Sequence, residues 1–130
     1  MSGNKFLIDT SIVIDVLKNK VEVATRINEL EMFSINAIVY GELLTGVHGS
    51  INQVKQLAAI NTFIGNSKVF QIDSRTADYF GQLYTMLQRK GKLIPSNDIW
   101  IAASAKQHGL TLITKDKHFA EVKGLDVEFW

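Results

Sequence analysis

The chain has 130 residues, 46% hydrophobic and 21% charged, which argues against disorder and for one domain spanning residues 1–130. It has no cysteine, so a disulfide framework and a thiolate zinc site are excluded, which fits a reducing, cytoplasmic setting. The net charge of +1 neither demands nor excludes a nucleic-acid partner. The start, Met1-Ser2-Gly3-Asn4-Lys5, lacks a charged region followed by a long apolar run, and no apolar stretch reaches bilayer-spanning length. Neither a signal peptide nor a membrane partner is expected.

Lys5-Phe6-Leu7-Ile8 reads as a short buried strand that stops on Asp9. Thr10 or Ser11 can cap the helix that follows, with Ile12, Val13, Val16 and Leu17 at helical spacing. A second helix is expected from Val21 to Leu30 and a second strand from Met32 to Ile35. Asn36 can cap a helix over Ala37 to Thr45, with Gly46 as its stop. Ser50 and Gln53 match a capping box opening a helix that ends near Ile64. Lys68 to Ile72 reads as a third strand. Asp73 then caps a long helix with Ala77, Phe80, Tyr84 and Leu87 on its buried stripe, ending in Arg89-Lys90-Gly91-Lys92. After a loop from Leu93 to Asn97, an Ala-rich helix covers Asp98 to His108 and closes at Gly109. A fourth strand covers Leu110 to Ile113, and a turn of helix precedes a last strand, Val127 to Phe129. Strands alternate with helices, so the class is α/β, with a mainly parallel sheet of four to five strands wrapped by helices.

Of the 13 acidic residues, four hold unusual positions. Asp9 ends the first strand, at the strand end where open α/β sheets bind ligands. Asp98 opens the Ala-rich helix, and Asp116 follows the fourth strand. Glu42 lies one turn inside a helix, between Val39 and Leu43, which should be core; an acid there is costly unless paired. Taken singly, each aspartate reads equally as a helix cap and Glu42 as a solvent-facing residue. Taken together, four carboxylates converging on one mouth raise one another's pKa values, and a hard divalent cation, Mg²⁺ or Mn²⁺, relieves the repulsion. Such an ion supports phosphodiester hydrolysis.

The blocks Leu7-Ile8-Asp9-Thr10-Ser11, Tyr40-Gly41-Glu42-Leu43, Asn97-Asp98-Ile99-Trp100-Ile101-Ala102-Ala103 and Thr114-Lys115-Asp116-Lys117-His118-Phe119 resemble the signature blocks of the PIN-domain family. Within it they most resemble the VapC-type toxins of toxin–antitoxin pairs. The resemblance runs from Lys5 to Trp130 in the family's order. It implies a PIN-like fold and a metal-dependent endoribonuclease that cleaves RNA, often tRNA, by in-line attack of metal-activated water, leaving a 5′-phosphate. It implies Asp9, Glu42 and Asp98 as ligands of a central metal and Asp116 as a fourth, more variable acid. Thr10, Ser11, Asn97 and Thr114 would support those acids. A cognate antitoxin and a homodimer are the partners it implies.

Lys115 and Lys117 flank Asp116 and suit a phosphate backbone, as do Arg89, Lys90 and Lys92, although a basic run also reads as a solvated helix end. His118 reads as a turn residue packing near Phe119, His48 and His108 as structural, and Trp100 and Trp130 as core or dimer contacts. Three other classes stay in view. A phosphoacceptor receiver domain needs an acid pair after the first strand, where only Asp9 stands. A haloacid-dehalogenase-type phosphatase needs D-x-D, where the chain has Asp9-Thr10-Ser11. A non-catalytic module would use the acidic mouth only to bind.

Overall fold

Phe6, Leu7 and Ile8 can bury both faces of a three-residue strand, and Asp9 stops it by turning its side chain back onto its own chain as a helix cap. The computed structural model describes residues 5–130. Met1 to Asn4, the start read above as free of a leader, lie outside the described residues. Along the chain come β1 (Phe6–Ile8), α1 (Thr10–Leu17), α2 (Val21–Glu29), β2 (Ser34–Asn36), α3 (Ala37–His48), α4 (Gln53–Gly65) and β3 (Lys68–Phe70). Then come α5 (Ser74–Arg89), α6 (Ser96–His108), β4 (Thr111–Thr114), a 3-10 turn (Lys117–Glu121) and β5 (Val127–Phe129). No described helix is long and apolar enough to cross a membrane.

The five strands form one parallel sheet in the order β3-β2-β1-β4-β5. Chain order runs outward one way from β1 through β2 to β3, and the other way through β4 to β5. The direction therefore switches between β1 and β4, the place where such a sheet opens a ligand crevice beyond its strand ends. Ile8 pairs with Ile113, and the Asp9 amide donates to the Ile113 carbonyl at 2.9 Å. Asp9 and Thr114 thus stand side by side at that switch.

Leu7, Ile8, Ile35, Leu112 and Ile113 fill the sheet, sealed by Ile12 and Val13 from α1, Val39 from α3, and Ile99 and Ile101 from α6. In α6, Ile101 to Ala105 are all fully buried, so this helix has little polar face and no single apolar stripe. Its small residues let α5 pack closely along it, and Gly109, at φ 65°, ends it in the left-handed conformation.

Several boundaries differ from the sequence reading. Asp9, not Thr10 or Ser11, caps α1. The second strand is shifted to Ser34–Asn36, so Asn36 both ends β2 and caps α3. Gly46 does not stop α3, which continues to His48 because Val47 is buried against the core. The Ser50–Gln53 capping box is not made: Ser50 Oγ accepts from the Asn52 amide, and the Gln53 side chain donates back to the His48 carbonyl. On α5, Ala77 is exposed, and Leu83, absent from the expected stripe, is buried. Helix α6 begins at Ser96, which places Asp98 inside its first turn rather than at its cap.

Candidate active site

Asp9 is 2% exposed and its carboxylate is fully engaged. Oδ1 accepts from the Thr10 amide at 2.8 Å; Oδ2 accepts from Thr114 Oγ1 at 2.6 Å and from Ser11 Oγ at 3.2 Å. The two hydroxyls are themselves held, since Thr114 Oγ1 accepts from the Asp116 amide at 3.0 Å and Ser11 Oγ from the Lys115 amide at 3.4 Å. The loop after β4 is thereby tied to the end of β1 through Asp9. Burial raises the Asp9 pKa from 3.8 to about 6, with the charges of Asp98 and Asp116 adding to it against the hydrogen bonds from Thr114 and Thr10.

Glu42 sits between buried Val39 and Leu43 as the helical spacing requires. Its partner is a hydroxyl rather than a cation: Thr10 Oγ1 donates to Oε1 at 2.6 Å. Asp98 is half-buried, and its Oδ2 lies 2.8 Å from His118 Nε2. Burial pushes the Asp98 carboxyl up, opposed by His118 and assisted by the charges of Glu42 and Asp116. Each of the four acids therefore feels at least one of the others, with Asp98 facing Asp9, Glu42 and Asp116.

Among the described residues, no three carboxylates or imidazoles already close into a formed ligand set. The donor set still fits a hard divalent cation. Its atoms are carboxylate and hydroxyl oxygens, Asp9 is buried at a cost that its hydrogen bonds offset only in part and that a cation would relieve, and no described lysine or arginine forms an ion pair with any of the four acids.

The supporting residues separate. Thr10, Ser11 and Thr114 all contact the acids, whereas the Asn97 side chain is exposed and makes no hydrogen bond among the described residues. The basic candidates are partly engaged elsewhere. Lys115 pairs with Asp15 at 2.9 Å, Lys117 lies over the Phe129 ring at 4.4 Å, and Lys90 donates to the Glu121 carbonyl. Arg89 and Lys90 line an open groove on α5 together with Lys123, and Lys92 is exposed.

Sequence reasoning passed over Asp15 and gave only half of the role of His118. Asp15, only 4% exposed, is held by Lys20 at 3.1 Å as well as by Lys115. Its place on the α1 turn facing the β4 loop leaves no local signature. His118 does pack on Phe119, with ring centroids 4.9 Å apart, but it also meets Asp98. The structural readings hold elsewhere: His108 stacks on Phe70, Trp100 on Phe80, and Arg26 lies over Trp130. Asp73, which follows the third strand, is occupied as the cap of α5 by the Arg75 and Thr76 amides.

The family profile for the PIN domain matches residues 6–125. Ribonuclease VapC2 of Haemophilus influenzae is 33% identical over 129 residues, covering 97% of this chain and 98% of the relative. The tRNA(fMet)-specific endonuclease VapC of Salmonella typhimurium is 32% identical over 129 residues, with the same coverage. Among solved structures, VapBC2 from Rickettsia felis bound to a promoter DNA fragment superposes with a TM-score of 0.92 at 26% identity, covering 96% of this chain and 98% of that one. DNA-bound VapBC from Salmonella typhimurium does so with a TM-score of 0.92 at 27% identity, covering 98% and 99%.

Proposed function

The chain belongs to the PIN-domain family and is an endoribonuclease of the VapC toxin type, and on that footing we propose that it cleaves RNA with Mg²⁺ or Mn²⁺ held by Asp9, Glu42, Asp98 and Asp116. The observation that carries the metal reading is the burial of Asp9 at the sheet's switch point, with its pKa raised to about 6 and two further carboxylates bearing on it. When bound, the cation would supply an activated water and neutralise charge gathering on the phosphoryl group.

The chain's own residues do the rest. Thr114 and Ser11 fix the Asp9 carboxylate, and Thr10 fixes Glu42, so two acids are oriented before any ligand arrives. On this reading Lys117, Arg89, Lys90 and Lys92 are the cations that would meet phosphates, with Lys115 available once it leaves Asp15.

The substrate class is structured RNA, with tRNA favoured by the relatives named for tRNA(fMet). We take the partner to be an antitoxin, as in the VapBC complexes, and the working form to be a cytoplasmic homodimer of the nuclease domain that the family match spans over residues 6–125.

Incubation of total tRNA and rRNA with Mg²⁺, Mn²⁺ or EDTA, for wild type beside Asp9→Asn, tests this reading. Discrete cuts that need metal and vanish in the variant support it. Cuts surviving EDTA overturn the metal role, and binding without cleavage returns the acidic mouth to a non-catalytic module.

A further inference from the structure

The 3-10 turn Lys117–Glu121 is anchored by Phe119, which is fully buried. Lys90 of α5 donates to the Glu121 carbonyl, holding the far end of the turn. These two contacts place His118 over the first turn of α6, with its ring against Phe119 and Nε2 2.8 Å from Asp98 Oδ2. That nitrogen is sealed from solvent although 36% of the side chain is exposed, and it has no aligned hydrogen-bond partner in this state. The Asp98 carboxylate in turn receives no hydrogen bond from any other described residue. This contrasts with Asp9, whose carboxylate is fixed by three donors, and with Glu42, fixed by Thr10. Among the described residues, His118 is the single side chain that meets the Asp98 carboxylate, and it comes from another element.

We propose that His118 is a positioning residue for Asp98: it engages Oδ2 and sets the carboxylate plane, leaving the other oxygen for the divalent cation. The inference rests on reading the four acids as a metal site. Outer residues that orient a ligating carboxylate change metal affinity by about 10-fold or more when removed. The alternative is that the imidazole only neutralises Asp98 until the metal displaces it, and the two roles move affinity in opposite directions.

Mn²⁺ binding, followed by calorimetry and by the loss of free-ion electron paramagnetic resonance signal, separates them in wild type, Asp9→Asn, His118→Ala, His118→Asn and His118→Gln. The expected result is that His118→Ala weakens Mn²⁺ binding about tenfold. His118→Gln, whose amide can reach the same oxygen, should recover most of the loss, and the shorter His118→Asn should not. If the alanine variant does not fold, the Asn and Gln pair carries the comparison. Unchanged or tighter Mn²⁺ binding in His118→Ala or His118→Asn overturns the proposal while leaving the metal site standing. If wild type binds no Mn²⁺, or Asp9→Asn binds it equally well, the reading of the four acids fails instead, and the role of His118 with it.

Discussion

Thr114 Oγ1 donates to Asp9 Oδ2 across 2.6 Å, joining the ends of β4 and β1 at the point where the sheet changes direction. The hydroxyl is buried, and the bond stabilises the ionised form of a carboxylate that burial disfavours. Replacing Thr114 with valine keeps the shape and deletes the donor. It also strands the Asp116 amide, which Thr114 Oγ1 accepts. We expect a loss of about 1–3 kcal/mol. The Asp9 pKa should rise further, so the acidic limb of the cleavage profile moves to higher pH. Thermal melts and a pH–rate series check both effects.

Asp9 itself should cost stability near neutral pH. Between pH 3.8 and about 6 the folded chain keeps a proton on Asp9 that the unfolded chain has released. Stability of the metal-free protein therefore falls as pH rises through that window and levels off above it. Asp9→Asn removes the buried charge while keeping a good cap residue. The variant is expected to be more stable than wild type at pH 7.5 by about 1–3 kcal/mol, and equal or weaker near pH 4, while losing cleavage. Denaturant titrations at the two pH values decide this; a variant less stable at pH 7.5 would mean that the lost hydrogen bonds outweigh the desolvation.

How much was legible follows from how local each signal is. The strand that ends on Asp9, the Asp73 cap and the Gly109 stop are written in neighbouring residues, and each stands where the sequence places it. The Gly46 stop and the Ser50–Gln53 box look just as local, yet tertiary burial of Val47 extends α3 and shifts the next cap to Asn52. For Asp9, Asp98 and Asp116 the sequence shows a place near an element end, and for Glu42 a place between core residues of a helix, but it does not show what meets them. The Thr10–Glu42 contact spans two helices and the His118–Asp98 contact joins a turn to α6, so neither has a periodicity to read. Asp15 was hidden for the same reason, because its partner Lys115 is a hundred residues away in sequence.

That pair carries the opposite pH sign. Burial pushes the Asp15 carboxyl up, but Lys115 and Lys20 outweigh it and hold the pKa below 3.8. Its stabilisation is present above the unfolded pKa and is lost as pH falls. Lys115→Met leaves Asp15 with Lys20 alone, and we expect a loss of about 1–2 kcal/mol at pH 7, modest because both lysines are partly exposed. The loss should shrink toward pH 3, and Asp15→Asn combined with Lys115→Met should recover most of it. A loss that does not change with pH would point to packing of the lysine stem.

Asn36 links the two helices that carry Glu42 and Asp98. It is fully buried; its Oδ1 accepts from the Val39 amide at 2.9 Å, capping α3. Its Nδ2 donates to Ser104 Oγ at 2.9 Å and to the Trp100 carbonyl at 3.4 Å, both on α6. Asn36→Asp would keep the cap but aim an acceptor at that carbonyl inside the core, so a loss of about 2–4 kcal/mol is expected. Ser104→Ala removes one partner and should cost about 1 kcal/mol, because the Trp100 carbonyl still receives the amide. If the amide transmits between the helices, the double variant Asn36→Ser with Ser104→Ala should lose less than the sum of its singles, by about 0.5 kcal/mol or more. Additive losses in denaturant titrations would show that Asn36 acts on α3 alone, and that Glu42 and Asp98 are set in place independently.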